Sequence, residues 1–559
     1  MSPTLHRFFK SAPECTTRFM DDHRLLIYGI LAGLAGLAWL ILYRLYLYPR
    51  FLSPLRSIPG PSLGHPIYGQ FPAIINGEAG IPQRAWVKQY GPVVRVVGPI
   101  GIERLIFMKP EAIQKIMVSD WIDYPRPKFL RDVLGTVTGY GLLTVTGNEH
   151  KQMRKAMNPA FAIPNLMAQS DMYYDAIKGL IKILNAQIDA EEEPENGKEM
   201  LMYEWMSKVT LDIICETAFG YKSDSLHNPH NELAEAYEEL INLQTGPNLA
   251  RFIGIVSIPF VPSFIASKWA YNYRHWFEKV EFLRHLSTVL DSMHRIREVS
   301  ATMLAEKMAD SAVSLSDTDA KRDIMSLLVR ARTADLQENK EKAGGYAMSD
   351  EAMMDQVLTF LGAGHETTAS GLAWTLWLLA KDPTSQQRLR EEVTPIFQDD
   401  PRPGYRTLKD LQWLDCVIME SLRVMPPVPM TFRQAAKTDY IDGVLVPKGT
   451  LFYIPIRVIN TWKEVWGEDA EEFHPERWLN PPSNYSSSFS TLSFIAGPHA
   501  CIGKTMAIIE MKAVLAALIA NFEFEPAYEG QIPHPTAAIT MKPMDNMPLR
   551  VRRVSPIKS

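Results

Sequence analysis

The chain has 559 residues, 46% hydrophobic and 22% charged, with a formal net charge of −5. That composition is globular and long enough for a deep core, and its slight acidity excludes the basic face that nucleic-acid binding requires. The four cysteines, Cys15, Cys215, Cys416 and Cys501, lie far apart without a CxxC pair, which excludes a secreted disulfide framework and suits a reducing compartment.

The first element is "LLIYGILAGLAGLAWLILY", Leu25 to Tyr43, nineteen residues without a charge. It is long enough to cross a hydrocarbon core of roughly 30 Å. It exceeds a signal-peptide core, lacks an A-x-A cleavage site and carries Trp39 and Tyr43 near one end, as an uncleaved anchor does. Lys10, Arg18 and Arg24 precede it while Arg44, Arg50 and Arg56 follow, so flanking charge leaves the orientation open. The expected organisation is an N-terminal extension over 1–24, an anchor over 25–43, a proline-rich linker over 44–61 and a soluble body over 62–559. In the linker, Pro49, Pro54, Pro59 and Pro61 are expected to prevent helix and form a stiff strut.

In the body, "GPVVRVVGPIGIERLIFM" predicts two short strands with a turn at Gly98–Gly101. Residues from about 165 to 380 read as mostly helical, with amphipathic runs such as "MYEWMSKVTLDIICETAFG". The acidic "DAEEEPENG" and the polar "QENKEKAGG" read as solvated loops. Proline-rich, irregular chain is expected from about 425 to 500, followed by a last helix from Lys504 to roughly Phe522. The fold class is mainly α with a small β component.

Four stretches carry chemistry. The long helix "DQVLTFLGAGHETTASGLAWTLWLLAKDP" has a polar break at its middle. Gly362, Ala363 and Gly364 remove bulk and would let a flat body approach. Glu366 and Thr367 supply a carboxylate and a hydroxyl able to pass protons into a dry pocket; alternatively Thr367 bonds back to a carbonyl one turn earlier and bends the helix. In "MESLRVMPPVPMTFR", Glu420 and Arg423 share one helix face and Pro426 ends the helix. Alone, such a pair is commonly a surface ion pair, but Arg477 of "AEEFHPERW" would complete a clamp fixing the loop that presents Cys501. In "FIAGPHACIG", Phe494, Gly497 and Gly503 frame Cys501 just before a helix, where backbone dipoles favour a thiolate. A lone cysteine is otherwise a small buried hydrophobe.

Together, in this order, these stretches resemble the cytochrome P450 family of haem-thiolate monooxygenases, from the proline strut to the last residues. The resemblance implies the P450 fold behind one transmembrane helix. It implies haem b as cofactor, with Cys501 as the axial iron ligand. Ala363, Gly364, Glu366 and Thr367 would form the oxygen-activation groove, and Glu420, Arg423 and Arg477 the structural network. In "GNEHKQMRKAMNPAF", Arg154 matches the family's propionate-binding arginine, whereas His150 stands where tryptophan is more usual. Arg433 and His499 match two further propionate positions, His499 replacing the commoner arginine. Phe360, Leu361, Ala363, Val428, Met430 and the loop between Trp121 and Val145 are expected to line an apolar substrate pocket.

The implied co-substrates are O2 and NADPH, with electrons delivered by NADPH-cytochrome P450 reductase. The other partners are a hydrophobic small molecule and membrane lipid, with no nucleic acid. The implied location is the endoplasmic reticulum membrane with the body cytosolic, so the acceptor pattern "NYS" at Asn484 would go unused. Length and strut resemble fungal members, many of which decorate terpenoids or other secondary metabolites. Two other readings stay open: a haem-thiolate isomerase or dehydratase, whose members tend to lack the acid–alcohol pair, and a non-catalytic haem-binding membrane protein.

Overall fold

The structure is a computed structural model, which describes residues 12–243, 246–265, 267–313, 323–339, 348–536 and 539–554. Residues 340–345 of the polar "QENKEKAGG" loop lie outside the described residues, and residues 337–339 close a helix instead, Ile324–Asn339. The acidic "DAEEEPENG" stretch is a largely exposed connection with one short turn, Pro194–Asn196.

A helix over Ala12–Leu42 continues as a wider helical stretch over Tyr43–Leu52, so helix enters both the expected N-terminal extension and the expected linker. Pro49 sits inside it and does not end it, which corrects the expectation that this proline prevents helix. A wider turn spaces the backbone so that the missing N–H and the ring are tolerated. The segment Ile27–Leu52 is long and apolar enough to span a membrane, with mean hydropathy 1.8. Ser53 caps the next turn, Pro54–Ser57, by accepting from the Leu55 N–H, and also donates to Glu103 at 2.7 Å, pinning the end of the strut to the body.

The body is built around a 32-residue helix, Asp350–Lys381. Ser349 caps its start by accepting the Ala352 N–H, Asp350 and Glu351 occupy the first turn, and Lys381 the last, all favourable to the helix dipole. Its middle is buried on nearly every face because other helices surround it: Met202–Phe219 along its length, Gln412–Val424, and Lys504–Asn521. A Cβ on Gly364 would lie 2.7 Å from the Ile214 side chain, so glycine is what allows two of these helices to approach. The helix runs unbroken through its polar stretch, and Thr367 bonds back one turn as the alternative reading expected, its hydroxyl donating to the Ala363 carbonyl at 2.8 Å.

The strands Val93–Val97 and Glu103–Phe107 pair antiparallel through the turn Pro99–Gly101. Leu451–Ile454 joins parallel to the second, and Thr431–Gln434 antiparallel to Leu451–Ile454, completing a four-stranded sheet. The stretch 425–500 is therefore less irregular than its prolines suggest. It also holds the two-stranded ribbon Asp439–Ile441 and Val444–Val446. These strands are three or four residues long, too short for an alternating pattern to emerge.

Candidate functional site

Between the central helix and the loop Phe494–Gly503 lie two adjoining cavities of about 170 and 300 Å³. Ala363, Thr367, Thr368, His499, Cys501 and Ala507 line both. A further cavity of about 450 Å³, beside Tyr271 and Arg297, takes Thr136 and Tyr140 from the expected Trp121–Val145 stretch but none of the other predicted site residues. Phe360 and Gly364 line the smaller of the two adjoining cavities, and Val428, Met430, Phe494 and Glu366 the larger. Leu361 corrects the expectation made for it. One residue round the helix from Phe360, it is fully buried in the same apolar cluster as Ala218, Leu240 and Met353, and lines neither cavity.

The Cys501 loop is fixed by its backbone. The Cys501 N–H donates to the Phe494 carbonyl at 2.8 Å, and Gly497 adopts φ +72° with the Met117 carbonyl 2.4 Å from where a Cβ would be. Only glycine fits there. Gly503 differs from expectation: its φ of −87° is ordinary and the space beside it is open. It lines the smaller cavity, so what a side chain would fill there is cavity and not protein. Burial pushes the Cys501 thiol up, while the Gly503 N–H, Arg154 and Lys504 pull it down.

At the cavity edge stands a basic cluster. Arg126 Nη1 donates to His499 Nδ1 at 3.0 Å, which makes Nδ1 an acceptor and leaves the proton on Nε2. His499 Nε2, His150 Nδ1 and Arg433 Nη2 are all buried without a hydrogen-bond partner. The His150 and His499 rings lie 4.0 Å apart, with Trp121 packed edge-on against His499 at 5.2 Å. Arg433 is 1% exposed and spends its other nitrogen on the Phe432 carbonyl at 2.7 Å. Arg154 donates to the Ala500 carbonyl, tying the cluster to the residue before Cys501. Burial lowers Arg126 to about 10, and burial followed by the Arg126 charge lowers His150 to about 4. No carboxylate pairs with Arg126, Arg433 or Arg154 among the described residues. Buried cations without a counter-charge are costly. A flat cofactor with a sulfur-seeking metal and anionic edge groups meets these demands: space beside Ala363 and Gly503, the Cys501 sulfur, and Arg126, His150, Arg154 and His499 on the cavity wall; Arg433, expected there too, lines neither cavity. The residues therefore fit haem: Cys501 would hold its iron, and Arg126, His150, Arg154 and His499 would meet its propionates.

Glu420 accepts both forks of Arg423 at 2.7 Å, and the two side chains are fully buried. It also accepts the His474 N–H and the Trp478 indole, while Arg477 Nε approaches to 3.4 Å. Arg423 in turn donates to the carbonyls of Asn460, Ala470 and Glu472. What read alone as a surface pair is a clamp across three chain segments.

Glu366 accepts hydrogen bonds from the Tyr203 hydroxyl at 2.9 Å and the Thr540 hydroxyl at 2.7 Å. Neither donor was legible in sequence, since each lies more than 160 residues away. Arg126 was missed too. Its one local signal is its place between Pro125 and Pro127, which fixes extended backbone on both sides.

A family model described as Cytochrome P450 matches residues 59–549. Cytochrome P450 monooxygenase 205 of Postia placenta is 34% identical over 85% of this chain and 87% of its own length. Cytochrome P450 monooxygenase sphH of Aspergillus fumigatus is 30% identical over 92% and 90%. Cytochrome P450 monooxygenase 128 of Postia placenta is 31% identical over 93% and 97%.

Proposed function

Since the chain belongs to the cytochrome P450 family of monooxygenases, we propose that it is a membrane-anchored enzyme that oxidises a hydrophobic small molecule of the terpenoid or another secondary-metabolite class. Electrons would come from NADPH through NADPH-cytochrome P450 reductase, with the body on the cytosolic face of the endoplasmic reticulum and the first helix as anchor. The observation carrying this reading is Cys501 on a backbone-fixed loop facing Ala363 and Thr367 across adjoining cavities whose wall holds Arg126 without a counter-charge and the unpartnered His150 Nδ1 and His499 Nε2.

Bound there, haem b would supply the oxygen chemistry, with Cys501 as the residue that holds its iron. The chain's own residues would do the rest. Leu130, Leu134, Val137, Leu143, Val428 and Met430 give the larger cavity an apolar wall that selects apolar substrate and excludes water. Thr367 would exchange its bond to the Ala363 carbonyl for one into the cavity, so that its Oγ1 holds a proton there. Glu366, the residue before it, would take a proton from water and pass it on, returning to the carboxylate. The acid–alcohol pair favours this reading over a haem-thiolate isomerase or dehydratase.

The test is a carbon monoxide difference spectrum of the full chain and of Cys501→Ala. The parent is expected to show the thiolate signature and the variant to lose it. With reductase added, NADPH consumption should rise with an oxidisable hydrophobic substrate and match product formed; rearranged product without NADPH use would establish the isomerase instead.

A further inference from the structure

The two hydroxyls on Glu366 are not equivalent. Tyr203 begins the helix Met202–Phe219, is 4% exposed, and lines neither cavity. The Lys542 ammonium lies over its ring at 5.7 Å, and burial with the Glu366 charge holds its hydroxyl well above the usual tyrosine range, so it remains a donor. Thr540 is part-buried and, with Ile539, forms wall of the larger cavity. One residue on, the loop is tied to the scaffold: the Met541 carbonyl accepts from Ser370 at 2.8 Å and Trp374 at 2.6 Å, and its N–H donates to the Pro427 carbonyl. Lys542 donates to Asn242 at 2.7 Å. Glu366 thus faces Tyr203, Lys542 and His365, with Glu204 and Glu238 acting on Lys542 from two further positions and Tyr237 packed on His365.

We propose that Tyr203 and Thr540 are positioning residues for Glu366, Tyr203 as its permanent anchor and Thr540 as a latch that a ligand in the larger cavity releases. A body filling that cavity meets Thr540 directly and Tyr203 not at all. Displacing the Thr540 hydroxyl leaves one carboxylate oxygen without its partner, while the other stays held by Tyr203. The carboxylate is then free to turn toward Thr367. An empty cavity keeps the acid latched, so proton supply waits for substrate. The role of Glu366 in proton delivery rests on the function proposed above; the latch itself does not.

The experiment uses the full-length haem-loaded protein. Infrared bands of the Glu366 carboxylate are isolated as the difference against Glu366→Gln. They are compared in the parent, in Thr540→Val, and in the parent saturated with clotrimazole, a bulky azole whose binding is followed by its Soret shift. Thr540→Val and clotrimazole are each expected to move the bands in the same direction. Clotrimazole should then move them no further in Thr540→Val, and Thr540→Ser, which restores the hydroxyl, should return them to the parent position. Tyr203→Phe should move them with or without the azole. Substrate-free NADPH oxidation with reductase is expected to rise severalfold in Thr540→Val. Bands in Thr540→Val that coincide with the parent, or parent bands unmoved at azole saturation, would overturn the latch. Undiminished coupling in Glu366→Gln would instead remove the proton-delivery role, leaving the infrared result to decide the latch.

Discussion

Arg126 is the residue whose burial is hardest to account for without an anion. Arg126 is 5% exposed, and its guanidinium faces the imidazole of His499 near a second buried arginine, Arg433. Each charge-assisted hydrogen bond contributes about 1.5–3 kcal/mol, so losing one to a propionate weakens haem binding about tenfold or more. Arg126→Ala is therefore expected to carry markedly less haem per chain, with Arg126→Lys recovering part of it; full haem content in the alanine variant would remove Arg126 from the site. The Cys501 loop and the Glu366–Thr367 pair were legible in sequence because their glycines, acid and hydroxyl are contiguous. Arg126, Tyr203 and Thr540 were not, because only the folded chain brings them near. Leu361 misled for a related reason: beside Phe360 in sequence, it is carried by the helical turn into the core.

Among the elements, the clamp on Glu420 shows why its chemistry could be read and its energetics could not. Spacing placed Glu420 and Arg423 on one helix face, yet nothing local tells a fully buried pair from an exposed one. Removing one partner of a buried pair strands the other and costs about 3–5 kcal/mol, a large part of a typical stability of about 5–15 kcal/mol. Arg423→Ala should lower the denaturation midpoint sharply and shed haem at temperatures the parent tolerates. The short strands pose the same difficulty. Thr431–Gln434 and Asp439–Ile441 look irregular because Pro-rich turns surround them, but they position Arg433 and Arg126 side by side. Gln434 donates its N–H to the Pro125 carbonyl at 2.9 Å, and Tyr124 donates to Asp439 at 2.9 Å. Lys115 first, then Tyr124 and the Tyr440 N–H, hold the Asp439 carboxyl at about 2, below its ordinary 3.8. A depressed carboxylate stabilises the fold above 3.8, and that stabilisation is lost as pH falls through about 2. Asp439→Asn is expected to lower the thermal midpoint at neutral pH, and the gap from the parent should close as pH falls through that window. A gap that stays constant would show that the carboxylate charge is not what staples this segment.

On the scale of the whole molecule, the helical segment Ile27–Leu52 is 26 residues long, none of its most apolar window is buried in the body, and at about 1.5 Å per residue it exceeds a hydrocarbon core of roughly 30 Å. Its flanking charges nearly balance, so orientation has to be read from the body. Asn484 is exposed and begins an Asn-Tyr-Ser acceptor, and its amide donates to the Glu464 carbonyl at 2.6 Å on an open surface. A luminal body would present that acceptor to the glycosylation machinery, whereas a cytosolic one, facing the reductase, would not. After expression in eukaryotic cells, glycosidase treatment should therefore leave the mass unchanged, as should Asn484→Gln. Under the proposed cytosolic orientation, an acceptor placed ahead of Pro13 should gain a glycan. A glycan on Asn484 and none ahead of Pro13 would invert the orientation and separate the body from cytosolic electron donors.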